Sequence, residues 1–450
     1  MGRRGDDRAR LRIPVTVAAK AALLALAVIG AYVASLAATF QFDDYNVIVG
    51  NPAVQSWDAL AHELGRGLRP VLKLTYTLDW TLWGGSPVPF HALNVALHAL
   101  NACLLYFIAL RLAARWNREA SFAALLAALL FALHPVQTEA VTYASGRSVS
   151  LAASFYLGAL LVYLRAGPAW ASLGLFALAC GSRETALTLP AALLLCELAR
   201  RGAPDWRAIA RRQWPYWTLA VLLAAAAFAH GRYVRFIETA FAQRSVADNL
   251  LTQVQGIGYL VSRLFLPHRL NIDPALPALA VWDTALALQA LGLGVLALVG
   301  LLSLRKAPWI GFGLCWFFLQ LAPTNSVMPR LDVANERQLY LALWGLGVAL
   351  AFQVAWNRVL KTAAAAALLL LAALGVMRQL DYRSETSLWE AAVREAPWNA
   401  RAHNNLGYAR AVAGDHAGAV RAYREALAFS PGNETALYNL ARSAAALRGR

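Results

Sequence analysis

The stretch Phe40-Gln41-Phe42-Asp43-Asp44-Tyr45-Asn46 closes the first long apolar run of the chain, 15–39, and sets two adjacent carboxylates at its end. A run of that length matches the ~20 apolar residues needed to cross a bilayer. A desolvated carboxylate beside it costs several kcal/mol unless a cation or a hydrogen-bond donor answers it. The pair therefore marks a membrane boundary at which partners for Asp43 and Asp44 are expected.

The composition extends this reading to the whole chain. Of 450 residues, 59% are hydrophobic and 15% charged, and the mean hydropathy is +0.48. That exceeds the apolar share of soluble domains and predicts an all-α, polytopic membrane helix bundle. Eleven apolar runs qualify as spans: 15–39, 90–111, 121–136, 148–165, 168–181, 184–199, 214–231, 282–303, 308–322, 338–355 and 362–377. The net charge of +16 is largely topological, because 18 of the 41 Lys and Arg fall in alternate short loops, beginning with five arginines before Ile13. The positive-inside rule then sets the N-terminus in the cytoplasm, and nucleic acid is not an expected partner. The charge-rich start reads as an uncleaved first span, with cleavage after Ser35 or Ala37 as the alternative. The Ala/Arg-rich, Lys-poor composition suggests a bacterium.

Cys103, Cys180, Cys196 and Cys315 lie in apolar segments without a paired spacing and predict neither disulfide nor metal site. Outside the membrane this topology places the 41–89 loop, 135–147, 232–281, 323–337 and everything after Met377. The apolar stretch 250–266 is read as an interfacial or re-entrant helix. The chain thus divides into a transmembrane domain, 1–377, and an extracytoplasmic region, 378–450. In the latter, Leu406, Gly407, Ala419, Tyr423, Ala426 and Pro431 follow the 34-residue period of a tetratricopeptide repeat, with fragments at Trp389, Ala392 and Pro397 and at Leu440 and Ala441. A short array of this kind either packs on the membrane domain or offers a peptide-binding face.

The polar residues inside the spans collect in a few places. His91, Asn94, His98 and Asn101 are spaced 3, 4 and 3 and share one helical face. A shared metal is disfavoured for the two histidines, which lie seven residues or ~10.5 Å apart along a helix axis, so interhelical hydrogen bonds compete with a cavity-lining role. On the outer face the 41–89 loop carries Arg69 and Lys73, the next turn carries His134, Glu139 and Arg147, and later helix starts carry Arg183-Glu184 and Glu336-Arg337. Arg147, Arg183 and Arg337 lie on the side that positive-inside statistics disfavour and near helix N-termini, which predicts anion binding, phosphate above all, over headgroup snorkelling. Glu197 and Lys20 are the charges within spans that fall elsewhere, each able to reach an interface. Gly292-Leu293-Gly294 follows no strand and completes no nucleotide-binding loop. Carboxylates and phosphate-binding arginines without such a loop suit a lipid-linked phosphate donor.

The set Phe42-Asp43-Asp44, Arg69-Pro70, His91-x-x-Asn94-x-x-x-His98, His134-Pro135-x-x-Thr138-Glu139, Gly146-Arg147, Ser182-Arg183-Glu184 and Glu336-Arg337-x-Leu339-Tyr340, followed by the repeat, resembles one family. It is similar to the transmembrane and tetratricopeptide-repeat-containing O-mannosyltransferases and their bacterial relatives, within the GT-C glycosyltransferases. Two departures stand out: Arg183 occupies a position where lysine is commoner, and the repeat array is very short. The resemblance implies transfer of a sugar, mannose in the animal members, from a polyprenyl-phosphate donor to a Ser/Thr hydroxyl of an exported protein or peptide at the outer face of the plasma membrane. It implies a general base at Asp44 or Asp43, with family position favouring Asp44, and a donor-phosphate site at Arg69, Arg147, Arg183 and Arg337. His91, Asn94, His98, His134, Glu139, Glu184 and Glu336 would line or support the cavity. The second aspartate would hold the acceptor, pair with an arginine or bind a divalent cation. A glycan or lipid acceptor is the alternative within this chemistry, and a transporter or a non-catalytic scaffold the alternative outside it.

Overall fold

A computed structural model describes residues 15–65, 67–116, 121–354 and 358–448; the arginine-rich start, Arg118 and Glu119, and the loop residues 355–357 lie outside the described residues. Every regular element among the described residues is helical. Local sequence sets many of the starts. Pro70, Pro87 and Pro308 open helices where the missing N–H costs nothing. Asn51, Ser56, Asp205, Asp283, Asn399 and Asp415 cap others by accepting a backbone N–H.

Among the described residues five helices are long and apolar enough to cross a membrane: Val15–Ala37, Pro87–Arg115, Ala144–Leu164, Thr284–Lys306 and Arg358–Asp381. Two bent pairs raise the number to seven, Ser121–Leu133 with Pro135–Val141 at 54° and Trp206–Ala229 with Gly231–Gln243 at 79°. This is fewer than the eleven runs read from hydropathy, because several of those runs form short helices. Ala169–Ser182 and Pro308–Leu321 have 14 residues each and Leu189–Leu198 has 10, and 14 residues reach only ~21 Å of a ~30 Å hydrocarbon core. The 250–266 stretch lies in one 20-residue helix, Val246–Phe265, whose buried face includes the polar Asn249, Thr252 and Gln253 and which is not among the candidate spans. The 41–89 loop is itself largely helical, with segments Pro52–Gln55, Trp57–Leu64 and Pro70–Trp83.

The core centres on Pro87–Arg115, which buries Leu105, Tyr106, Ile108 and Leu112 against the first span and Ser121–Leu133. An aromatic group of Trp116, Phe312, Trp316 and Trp344 fills the next layer, with ring centroids 5.1–5.9 Å apart. After Asp381 come four short helices, Glu385–Glu395, Ala400–Val412, His416–Phe429 and Glu434–Arg448, each packed on the next. The last long helix runs four residues past the expected boundary at 377 to lead into them.

Helices Pro308–Leu321 and Leu339–Val354 cross at two glycines. A Cβ on Gly313 would lie 2.3 Å from the Gly345 carbonyl oxygen, and one on Gly345 would lie 2.4 Å from that of Gly313. The obstacle is backbone on both sides, so relief requires the helices to separate. Gly345→Ala is therefore expected to cost at least the ~1–3 kcal/mol of an overpacked core, read as a lower melting temperature of the purified protein in detergent.

Candidate functional site

The two aspartates have separate environments. Asp44 is fully buried, and its carboxylate accepts the backbone N–H of Gln41 at 3.0 Å through Oδ2 and that of Ser145 at 2.7 Å through Oδ1. Burial pushes Asp44 up to about 7 against the pull of those N–H groups, with Asp43 adding to the rise. Asp43 is only partly buried, and its backbone N–H donates to the Tyr143 hydroxyl at 2.8 Å. Burial raises the Asp43 pKa, and the nearby Arg337 guanidinium opposes the rise. Asp44 thus spends both oxygens on backbone N–H groups, while the Asp43 carboxylate lies beside the Tyr143 hydroxyl and within electrostatic reach of Arg337. The residue before the pair, Phe42, has φ 44° and packs edge-on against Trp389 at 5.1 Å. A bulky side chain in the left-handed region is held there by its surroundings.

The arginines also divide. Arg147 is fully buried and bound to Asp79 at 2.6 Å, to the Asn94 side-chain oxygen at 3.0 Å and to the Phe90 carbonyl at 3.1 Å. It stacks over the Tyr76 ring at 4.7 Å. With these partners it fastens the 41–89 segment to the bundle, and it is not brought to the cavity with the other three. Arg69, itself at φ 55°, pairs with Glu184 at 2.5 and 3.0 Å. Arg337 lies 3.4 Å from Glu139, which also accepts the Arg337 backbone N–H at 3.0 Å. Arg183 donates to the Ser148 hydroxyl at 2.9 Å. Arg183 lies within electrostatic reach of Arg69, Arg330 and Arg337. Arg330 is the residue that sequence reading passed over; its only signal was another positive charge in the 323–337 segment. Among the described residues neither Arg183 nor Arg330 has a carboxylate within 4.0 Å. Four guanidiniums therefore meet only two close carboxylates, Glu184 and Glu139.

Two adjoining spaces open on this cluster. One, of about 50 Å³, is lined by Arg183, Arg337, Tyr156, Gln320, Gln338 and Tyr340. The other, of about 470 Å³, carries Arg69, Glu184 and Arg330 at its polar part and Leu187, Phe228 and Phe236 along its apolar walls. Thr185 and Thr324 line both.

The remaining expected site residues form framework. His98 Nε2 donates to the Ala132 carbonyl at 3.1 Å, so its Nδ1 accepts from the Tyr340 hydroxyl at 2.9 Å. Asn101 donates to that hydroxyl and to the Ser150 carbonyl, and Asn94 donates to the Tyr143 carbonyl. His91 is buried on the same face. His134 caps the turn at Val136 and donates to the Leu264 carbonyl. Glu336 accepts the Asn271 N–H at 2.5 Å, 3.8 Å from Arg378, and burial drives it up to about 8. Among the described residues no three His, Cys, Asp or Glu side chains converge, so a divalent ion on the second aspartate has no ligand set there.

No family model and no solved structure matches the chain. Curated proteins do. The chain is 28% identical over 467 residues to Protein O-mannosyl-transferase TMTC4 of Mus musculus, covering 86% of this chain and 63% of that protein. It is 25% identical to Protein O-mannosyl-transferase F38B6.6 of Caenorhabditis elegans, over 86% of this chain and 59% of that one. A shorter region, 36% of this chain, is 38% identical to Protein O-mannosyl-transferase TMTC1 of Mus musculus, 19% of whose length it spans. The chain is a relative of the TMTC O-mannosyl-transferases. It spans less than two thirds of the length of these relatives.

The Asp44 environment makes pH a test of the assignment. Its folded pKa of about 7 lies above the ~3.9 of an unfolded aspartate. The folded state therefore holds the proton more tightly, and this contribution is full below about pH 4 and lost as pH rises through 7. Melting temperatures between pH 4 and 8 are expected to show this loss in the parent and to lack it in Asp44→Asn. That variant also melts lower at pH 5, because its amide NH₂ faces a backbone N–H.

Proposed function

We propose that the chain is a membrane glycosyltransferase of the GT-C kind, moving a sugar, mannose by analogy with its relatives, from a polyprenyl-phosphate carrier to a Ser/Thr hydroxyl of an exported protein. The observation that carries this reading is the junction of an apolar groove with a surplus of guanidiniums at Thr185 and Thr324. A prenyl chain suits the groove, and its phosphate suits Arg183 and Arg330, whose charges lack a carboxylate partner among the described residues. By the relatives' names the donor sugar is mannose and the acceptor a protein.

In this mechanism Asp43 takes the proton of the acceptor hydroxyl as its oxygen attacks the anomeric carbon. The bond from that carbon to the carrier phosphate breaks, and its electron pair leaves on the phosphate oxygen, where Arg183 and Arg330 stabilise the charge, with Arg337 alongside. Asp44 fixes the loop that presents Asp43. The C-terminal helices, in this reading a tetratricopeptide array on the extracytoplasmic side of a bacterial plasma membrane, stand against the same loop through Phe42 and Trp389 and supply the acceptor side.

Purified protein given radiolabelled polyprenyl-phosphate mannose and Ser/Thr acceptor peptides tests this. Asp43→Asn is expected to lower transfer by roughly 10²- to 10⁴-fold with the melting temperature retained. Absence of both transfer and donor hydrolysis with the parent protein would overturn the reading, and equal activity in Asp43→Asn would overturn the base. Arg183→Gln is expected to raise the donor KM by roughly 10- to 100-fold, the loss of one charged hydrogen bond, with the acceptor KM unchanged.

A further inference from the structure

Glu197, one of the two charges in the spans that the outer-face cluster does not use, lies at the other end of the bundle. Helix Arg147–Leu164 begins beside the arginine cluster and ends beside Glu197, with Tyr163 sixteen residues on, or ~24 Å along the axis. There Glu197 is buried and shared by three guanidiniums: Arg115 at 3.5 Å, Arg200 at 3.3 Å and Arg212 at 3.5 Å. Arg212 is fixed by stacking on the Tyr163 ring at 3.8 Å from its centroid and by donating to the Tyr163 carbonyl. Arg201 stands beside them with no carboxylate within 4.0 Å among the described residues. Asp205, the other carboxylate nearby, accepts the Ala208 backbone N–H at 3.0 Å as a helix cap.

These side chains surround a cavity of about 190 Å³ lined by Arg200, Arg201, Arg212, Glu197, Tyr163 and Asp205. One buried carboxylate cannot neutralise three guanidiniums at 3.3–3.5 Å, and the cavity leaves room for a second anion. The helix that follows supplies an independent observation. Trp206, Trp214 and Trp217 are 58%, 62% and 44% exposed. Trp206 and Trp217 are eleven residues apart, about three turns, so the tryptophans share one flank. Exposed tryptophans on a helix of this kind settle at headgroup level.

We infer that this cavity binds the phosphate of an anionic phospholipid headgroup, at the membrane face opposite the arginine cluster of the proposed donor site. Arg200, Arg201 and Arg212 hold the phosphate oxygens, the tryptophan flank sits at headgroup level beside them, and Glu197 keeps the guanidiniums spread for a further anion. A free phosphate shares the headgroup chemistry but makes no use of the tryptophans.

The test titrates the purified full chain in zwitterionic detergent with phosphatidylglycerol, phosphatidylcholine or inorganic phosphate, reading thermal shift and the lipid retained in native mass spectrometry. Phosphatidylglycerol alone is expected to stabilise the protein and stay bound, with affinity falling roughly 5-fold per arginine in Arg200→Gln and Arg201→Gln. Arg207→Gln, which removes an exposed charge that does not line the cavity, keeps full affinity. Should Arg200→Gln, which breaks the ion pair with Glu197, fail to fold, Arg201→Gln alone carries the comparison, since it breaks no ion pair of the described residues. Equal retention of phosphatidylcholine, equal stabilisation by inorganic phosphate, unchanged affinity in Arg201→Gln, or an equal loss in Arg207→Gln each overturns the site.

Discussion

The Asp44 carboxylate joins two pieces of chain a hundred residues apart. By accepting the N–H of Gln41 and of Ser145 it ties the end of the first span to the turn that starts helix Arg147–Leu164. Neither donor has a helical partner for that N–H, and a buried peptide group left unpaired would cost about as much as a lost hydrogen bond. Fixing Gln41 and Asp44 also fixes Asp43 between them, with its N–H on the Tyr143 hydroxyl. Adjacent residues of one type thus differ in their surroundings, Asp44 bound to two backbone N–H groups and Asp43 beside Tyr143 and Arg337.

This difference explains what the sequence could and could not disclose. The 3-4-3 spacing of His91, Asn94, His98 and Asn101 put them on one buried face, because helical period alone dictates that. Their interhelical partners, Tyr340 from one distant segment and the Tyr143 and Ser150 carbonyls from another, have no signature in spacing. Charge gathered at one end of the bundle was legible for the same reason that spans are. Which arginine is free was not, since Arg147 and Arg183 both sit beside helix starts and differ only in whether Asp79, 68 residues upstream in the chain, reaches one of them. Hydropathy likewise counts a 14-residue helix and a full crossing alike until helix ends are fixed.

The C-terminal helices belong to the same argument. Arg401 reaches back to Asp273 at 2.6 Å and to Asp332 at 2.8 Å, and Asn399 donates to the Asp273 carbonyl. Burial raises the Asp273 carboxyl, and the Arg401 guanidinium overcomes that and holds it below its ordinary value. Asp332 in turn lies near Asp43, and Gln41 donates to the Tyr382 carbonyl. The terminal helices therefore grip both sides of the candidate site: the Asp43 loop through Phe42 and Gln41, and the 323–337 segment through Asp332. An array docked this way cannot swing freely from the membrane domain, and a substrate held on it would meet Asp43 at a set distance.

Charge surplus gives the candidate site its direction. Arg183 is 7% exposed, and burial together with the Arg337 charge holds Arg330 below its ordinary value. A buried guanidinium without a carboxylate is costly, and removing that cost requires an anion. Filling the cluster with fixed carboxylates would have made it more stable and left it nothing to bind. Ser148 instead gives Arg183 a neutral acceptor, which orients the guanidinium without cancelling its charge. Orientation without neutralisation is what a site needs if an arriving phosphate is to be stabilised most when it carries most charge, as it does when a sugar leaves it.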